Sequence, residues 1–286
     1  MIVHLVDGTY ELFRHFYGLR RFTKGRDRPY GAVVGVLQTV LQMLDQDATH
    51  IGVATDHVIE SFRNGLWDGY KTGDGIEPAL FEQFHPLEEG LAAMGVAVWP
   101  MVELEADDAL ASAARIASED ARVDKVCIWT PDKDLAQCVQ DERVVQIDRK
   151  SKKIFDAEGV RAKFGVEPAL MPDYLALVGD AADGYPGIAG IGAVTAAQLL
   201  NRHGAIENFP PALLGARRAL ALLFKKLATL RTDAPLFRSV DALRWNGPTD
   251  AFASFAARID VPRLVDRVAK VRVALTEKVP IETRSA

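Results

Sequence analysis

The chain is poor in cysteine: Cys127 and Cys138 are the only two in 286 residues. Both flank one short turn in apolar surroundings, which excludes a disulfide scaffold and fits a reducing compartment. No apolar run approaches the roughly 20 residues needed to span a bilayer. The opening, MIVHLVDG, is too short for a secretory signal and lacks its positive start. The expected setting is therefore the cytoplasm, with no membrane partner. A basic excess is also missing, since 34 Lys and Arg face 39 Asp and Glu for a net charge of −5. A polyanion would have to be met by local patches rather than by bulk charge. Internal repeats and low-complexity segments are absent. Apolar residues are plentiful, at 49% of the chain, enough for one large core or two modest ones.

Short apolar runs alternate with helical spacing through the first half, and several of these runs stop at acids. Ile2–Val6 precedes Asp7, His50–Ala54 precedes Asp56, and Val126–Thr130 precedes Asp132 and Asp134. Val96–Trp99 is followed by Glu103, Glu105, Asp107 and Asp108, which open an Ala-rich helix running to about Ser118. Helices are expected over Gly31–Leu44 and Ala79–Met94. This pattern predicts an α/β fold with a central, mostly parallel sheet flanked by helices. Beyond Asp156 the alternation stops. Helical stretches follow, separated by Gly and Pro: Pro168–Val178, Ala193–His203, Arg217–Leu230, Ala251–Ile259 and Pro262–Leu275. The expected division is an α/β part over 1–160 and a helical part over 161–286.

In a parallel sheet the carboxyl ends of the strands converge, and that is where such folds place their sites. Asp7, Asp56, Glu105, Asp107, Asp108, Asp132 and Asp134 would then share one cleft. Like charges gathered in a low-dielectric cleft repel, and divalent cations are the natural remedy. All-oxygen donors suit Mg²⁺ or Mn²⁺, and a pair of such ions is a known route to phosphodiester hydrolysis. Taken singly, each acid reads equally well as a strand-end or helix cap, and Glu103 is the expected decoy. The loop GIAGIG, Gly187 to Gly192 between two helices, offers backbone amides to phosphates, or serves as a tight interhelical turn. It is not a dinucleotide fingerprint, because a helix rather than a strand precedes it.

The motifs LVDGTYELFR, FRNGLWDGYK, ELEADDA, TPDKDLAQ and LVGDAADGYPGIAGIG occur in the order and spacing of one family. From about residue 2 to 205 the chain resembles the 5′→3′ exonuclease domain of bacterial DNA polymerase I and the related flap endonucleases. The resemblance implies a helical arch near 60–90 and a helix-three-turn-helix at about 170–203. It also implies a free-standing two-metal nuclease of replication or repair that leaves 5′-phosphate and 3′-hydroxyl ends. Asp7, Asp56, Glu105, Asp107 and Asp108 match a first metal cluster, and Asp132, Asp134, Asp180 and Asp183 a second. Lys71 and Arg14 match catalytic cations at the scissile phosphate. Arg63 and Tyr70, with the loop glycines Gly187, Gly190 and Gly192, match DNA contacts. A K⁺ ion is implied on the backbone carbonyls of Gly187, Ile188 and Ile191. The implied partner is DNA with 5′ flaps or 5′ ends, and RNA–DNA hybrid remains open.

Two features depart from the pattern. Thr72-Gly73-Asp74-Gly75 puts an acid where the family's arch carries an Arg, and Thr9 replaces its usual Ser. Arg63 and Tyr70 also read as a solvated face with a buried ring, and Arg149–Lys153 as a solvated hairpin turn. The basic run from Arg20 through Lys24 and Arg26 to Arg28 divides evenly between a loop and a phosphate-steering patch. Trp67, Trp99, Trp129 and Trp245 are expected in the core. Three other functions compete: a PIN-type RNase, a structure-specific DNA-binding protein without catalysis, and a phosphatase using Asp132 and Asp134.

Overall fold

A computed structural model describes residues 1–23 and 28–277. Lys24 and Arg26 of the basic run lie outside the described residues. One six-stranded sheet, ordered β3-β2-β1-β4-β5-β6, organises the chain. Its strands are β1 (Ile2–Asp7), β2 (His50–Asp56), β3 (Ala97–Met101), β4 (Lys125–Trp129), β5 (Val144–Asp148) and β6 (Lys153–Phe155). The first five are parallel, and β6 turns back antiparallel to β5. The central strands are buried on both faces, as the unbroken apolar runs of β1, β2 and β4 require.

One face carries α1 (Gly8–Thr23), α2 (Gly31–Asp45) and α4 (Phe84–Ala93), with the short α3 (Pro78–Phe81) just before it. The other carries α5 (Ala106–Glu119), whose Ala109, Leu110, Ala113 and Ala117 pack on Val3, Leu5, Val126 and Ile128. The reversal of strand order at β1 and β4 opens a crevice at their carboxyl ends, where Asp7 and the turn after Trp129 meet.

The helix expected over Ala79–Met94 is broken at Glu82–Gln83, and Pro86 supplies the reason. It has no amide to donate to the carbonyl of Glu82, and its ring would crowd that carbonyl, so the helix must restart. The expected helical arch is not a free-standing helix. Between a 3₁₀ turn at Phe62–Gly65 and α3 the chain forms no helix. It is fastened down by Trp67 Nε1 to Gly184 O (3.1 Å), Lys71 N to Asp183 O (3.0 Å) and Gly73 N to Glu60 Oε1 (3.0 Å).

The helical part comprises α6 (Ala157–Phe164), α7 (Met171–Val178), α8 (Ala193–His203), α9 (Pro211–Leu214), α10 (Arg218–Ala228), α11 (Ala251–Arg258) and α12 (Arg263–Glu277). A boundary at residue 160 would cut α6, which is capped as one unit by Asp156 Oδ1 on Gly159 N (2.8 Å). Nor is everything after 160 a separate helical unit. Leu230, Val240 and Leu243 join the α5 face, and Phe252, Phe255, Leu264 and Val268 join the core beneath α2 and α4. Among the described residues no helix is long and apolar enough to cross a membrane.

Candidate active site: an acidic crevice

Each acid in the crevice is placed by a local device. Asp7 ends β1 and accepts from Tyr10 N (2.8 Å) in the first turn of α1 and from Thr130 Oγ1 (3.0 Å) beyond β4. Asp56 ends β2 and accepts from Ala106 N (2.8 Å) at the start of α5. Asp132 caps the 3₁₀ turn Lys133–Cys138 through Asp134 N (3.0 Å). Asp180 and Tyr185 close a small antiparallel bridge after α7, and this carries Asp183 back over the sheet.

Three of the four acids of the second predicted group converge: carboxylate oxygens of Asp134, Asp180 and Asp183 lie within 4.8 Å of one another, a cluster that does not include Asp132. Lys71 joins it to the first group, with its Nζ 2.8 Å from Glu105 Oε2 and 3.0 Å from Asp183 Oδ1. Lys133 Nζ lies 2.7 Å from Asp180 Oδ2. These two lysines do not neutralise the crevice. Burial, reinforced by Asp56 and Asp132, pushes the Asp7 carboxyl up to about 7. Burial followed by repulsion from Asp132 holds Asp107 and Asp134 well above the usual carboxylate range. Asp183 is raised too, mainly by burial. Glu105 goes the other way, since Lys71 and Arg63 more than offset its burial.

A cation would fit here on two observations. Asp134 Oδ1 is buried without a hydrogen-bond partner. The donors are hard carboxylate oxygens whose mutual repulsion a divalent ion would relieve. The softer ligands are poor candidates: burial pushes the Cys127 thiol up to about 11 and raises the Cys138 thiol as well, so neither is a thiolate at neutral pH.

Three predicted site residues take other positions. Arg63 is 1% exposed and cannot reach DNA. Its guanidinium forks onto Asp108 at 2.7 Å on both oxygens, reaches Glu105 Oε1 at 2.9 Å, and donates to Leu227 O at 2.8 Å. Asp108 is correspondingly turned away from the crevice. It also accepts from Glu105 N (3.0 Å), as the third residue of a helix turn reaching back to its cap. Tyr70 is buried, with its hydroxyl 3.3 Å from Glu105 Oε2. These residues brace Glu105 from behind. Glu103, the expected decoy, is exposed and outside the cluster.

Arg14 lies about two turns along α1 from Asp7, paired with Glu11 at 2.5 Å and still part-exposed. Sequence reasoning missed Glu11, which is fully buried between Arg14, His15 and Arg149. Arg149 is therefore not solvated; it lies over the Trp129 ring at 4.5 Å. Thr130, Ser61 and Lys133 were missed as well. Only Lys133 carried a signal, as the residue between Asp132 and Asp134.

The loop glycines differ in what they do. Gly187 has φ +70, and a Cβ there would stand 2.4 Å from Gly179 N. At Gly190 and Gly192 a Cβ would meet nothing within 4 Å, so the loop surface is open there. α8 begins at Gly192 without a side-chain cap. Of the carbonyls expected to hold K⁺, that of Ile188 already accepts from Ile191 N (2.9 Å), and the Arg217 guanidinium sits on the intervening Ala189 O (2.7 Å).

A family model for the 5′-3′ exonuclease N-terminal resolvase-like domain matches residues 2–165, and one for the 5′-3′ exonuclease C-terminal SAM fold matches 166–251. The chain belongs to the 5′-3′ exonuclease family. It is 32% identical over 255 residues to a 5′-3′ exonuclease of Aquifex aeolicus, covering 86% of this chain and 87% of that protein. It is also 32% identical over 259 residues to DNA polymerase I of Bacillus subtilis, where the match covers 85% of this chain but 29% of the relative. In fold it is similar to the bacteriophage T5 flap endonuclease solved with DNA and metal ions. That match has a TM-score of 0.61 and 18% identity over 97% of this chain and all (100%) of the other.

Proposed function

We propose that this 5′-3′ exonuclease family member is a divalent-cation-dependent 5′→3′ exonuclease and structure-specific flap endonuclease acting on DNA. The observation that carries the proposal is the crevice itself. Carboxylates from three parallel strands and from the turn after α7 meet there, short of positive charge, around a buried and unpartnered Asp134 oxygen. The T5 enzyme's complex with DNA and metal ions supports the same reading.

Asp7, Asp56, Glu105 and Asp107 are the proposed holders of one ion, and Asp132, Asp134, Asp180 and Asp183 of another. When bound, Mg²⁺ or Mn²⁺ supplies the charge that activates water and stabilises the pentavalent phosphate. Lys71 keeps an ammonium between the two groups, where developing charge on the phosphate oxygens falls. Arg14 holds a second cation at the rim, aligned by Glu11. Thr130 and the Tyr10 amide fix the Asp7 carboxylate. The amides around Gly190 and Gly192, with the uncapped start of α8, receive duplex phosphates without reading sequence. K⁺ on the carbonyls of Gly187, Ile188 and Ile191 would strengthen that grip.

Incubation with Mg²⁺ and a 5′-flap duplex, a closed circular single strand and a single-stranded RNA tests the reading. Cutting of the flap near its junction, leaving 5′-phosphate ends and sparing the circle and the RNA, is expected. Cutting of RNA alone would favour a PIN-type RNase. Binding without cutting would favour a non-catalytic binder.

A further inference from the structure

The segment expected to form an arch is folded down and edged with acids: Glu60, Asp74 and Glu82 are exposed, and Arg20 is ion-paired with Glu77. A single strand would find little net positive charge there. Beside it lies a surface of a different kind, made of rings. His57 directly follows Asp56 of the crevice, and its imidazole stacks on that of His85 at 4.2 Å and 7°. Glu88 fixes His57 from beneath through Nδ1 at 2.8 Å. Four residues before His85, at the end of α3, stands Phe81, 48% exposed and 5.4 Å from the buried Phe84 ring. Phe84 meets Phe13 at 6.0 Å, and Phe13 meets Tyr17, 43% exposed, at 6.3 Å. Exposed rings of His85, Phe81 and Tyr17 therefore mark the surface between Asp56 and the middle of α1, over the buried Phe16 and Phe84 and the part-buried Phe13.

We infer that this ribbon, through His85, Phe81 and Tyr17, is a stacking track for the unpaired nucleotides of a 5′ strand. The inference rests on the nuclease reading and extends it to a subsite. Aromatic faces hold bases irrespective of sequence, and such stacking does not require the phosphates to approach protein charge. The acidic edge then keeps the strand's backbone outward while its bases lie on the rings. The His57–His85 stack, which begins one residue after Asp56, sets the near end of the ribbon beside the metal-binding acids.

The test is equilibrium binding by fluorescence anisotropy of a duplex with an unpaired 5′ tail and of the same duplex made blunt, with Ca²⁺ in place of Mg²⁺. Phe81→Ser and Tyr17→Ser should each weaken the tailed duplex roughly 10-fold and leave the blunt one unchanged. An abasic tail should weaken wild-type binding similarly, Phe81→Trp should retain it, and the affinity gained from the tail should vary little with salt. Both positions are surface-exposed, and unchanged thermal melting would confirm intact folding. Tail affinity unaffected by either serine, or equal losses on blunt duplex, would overturn the inference. Cleavage measured separately in Mg²⁺ tells the two readings apart: tail binding without cutting sinks the nuclease, and cutting without ring dependence sinks the track.

Discussion

Arg63 shows how a motif residue can be read correctly in type and wrongly in place. Phe62 precedes it and Asn64-Gly65 follows, a composition that suits a DNA-facing turn. Its charge is instead consumed by Asp108 and Glu105 inside the molecule. Removing it leaves Asp108 buried and unpaired, a loss of about 3–5 kcal/mol. Arg63→Met should therefore lower the denaturation midpoint strongly, and Asp108→Asn in that background should recover part of the loss. A change in DNA affinity at unaltered stability would refute this placement. The crevice acids make the opposite statement about stability. A carboxyl whose folded pKa is raised holds its proton in the folded state at pH values where the unfolded chain has released it. The resulting stability is complete below the unfolded value and is lost as pH rises through the folded one. For Asp7 that window runs from about 3.8 to about 7, and Asp107, Asp134 and Asp183 shift in the same direction. In EDTA the crevice acids should thus favour unfolding increasingly across this range, seen as a declining melting temperature. Mg²⁺ should reverse the decline, and Asp134→Asn should flatten it.

Among the elements, the loop between α7 and α8 offers the clearest contrast. Gly187→Ala would force a Cβ against Gly179 N and Leu177 O in a left-handed backbone, so a loss of at least about 1 kcal/mol is expected in chemical denaturation. Gly192→Ala meets open space and should leave stability intact while weakening duplex binding, because the methyl stands where phosphate would approach. Equal stability of the two variants would contradict this division of roles. Most elements were legible because period and punctuation agree: β1, β2, β4, α2 and α8 follow directly from apolar runs ending in acids or glycines. Local pattern misled where tertiary forces decided. Nothing near Lys153–Phe155 announces a strand, since β6 exists by pairing with β5. The 66–77 stretch looks mobile from its glycines, yet it is held by acceptors more than 100 residues away at Gly184 and Asp183.

For the molecule as a whole, the acids were legible because charge at the ends of parallel strands must converge. The sorting of those acids was not legible. Asp107 and Asp108 are adjacent, but helical geometry sends one into the crevice and the other to Arg63. The last part of the chain was legible as helices but not as part of the first core, because residues 252–268 reach α2 and α4 only through the fold. The central claim, that the crevice holds the ions of a DNA-cutting centre, is tested most directly by single-turnover cleavage of a labelled 5′-flap across a Mg²⁺ titration. Wild type and Asp134→Asn should be run side by side, with flap binding measured in parallel. The account predicts no cutting in EDTA, cutting that rises with Mg²⁺ for wild type, and a loss of at least about 100-fold for Asp134→Asn with the flap still bound. Cutting by wild type in EDTA, or near-equal rates for the two proteins, would contradict it.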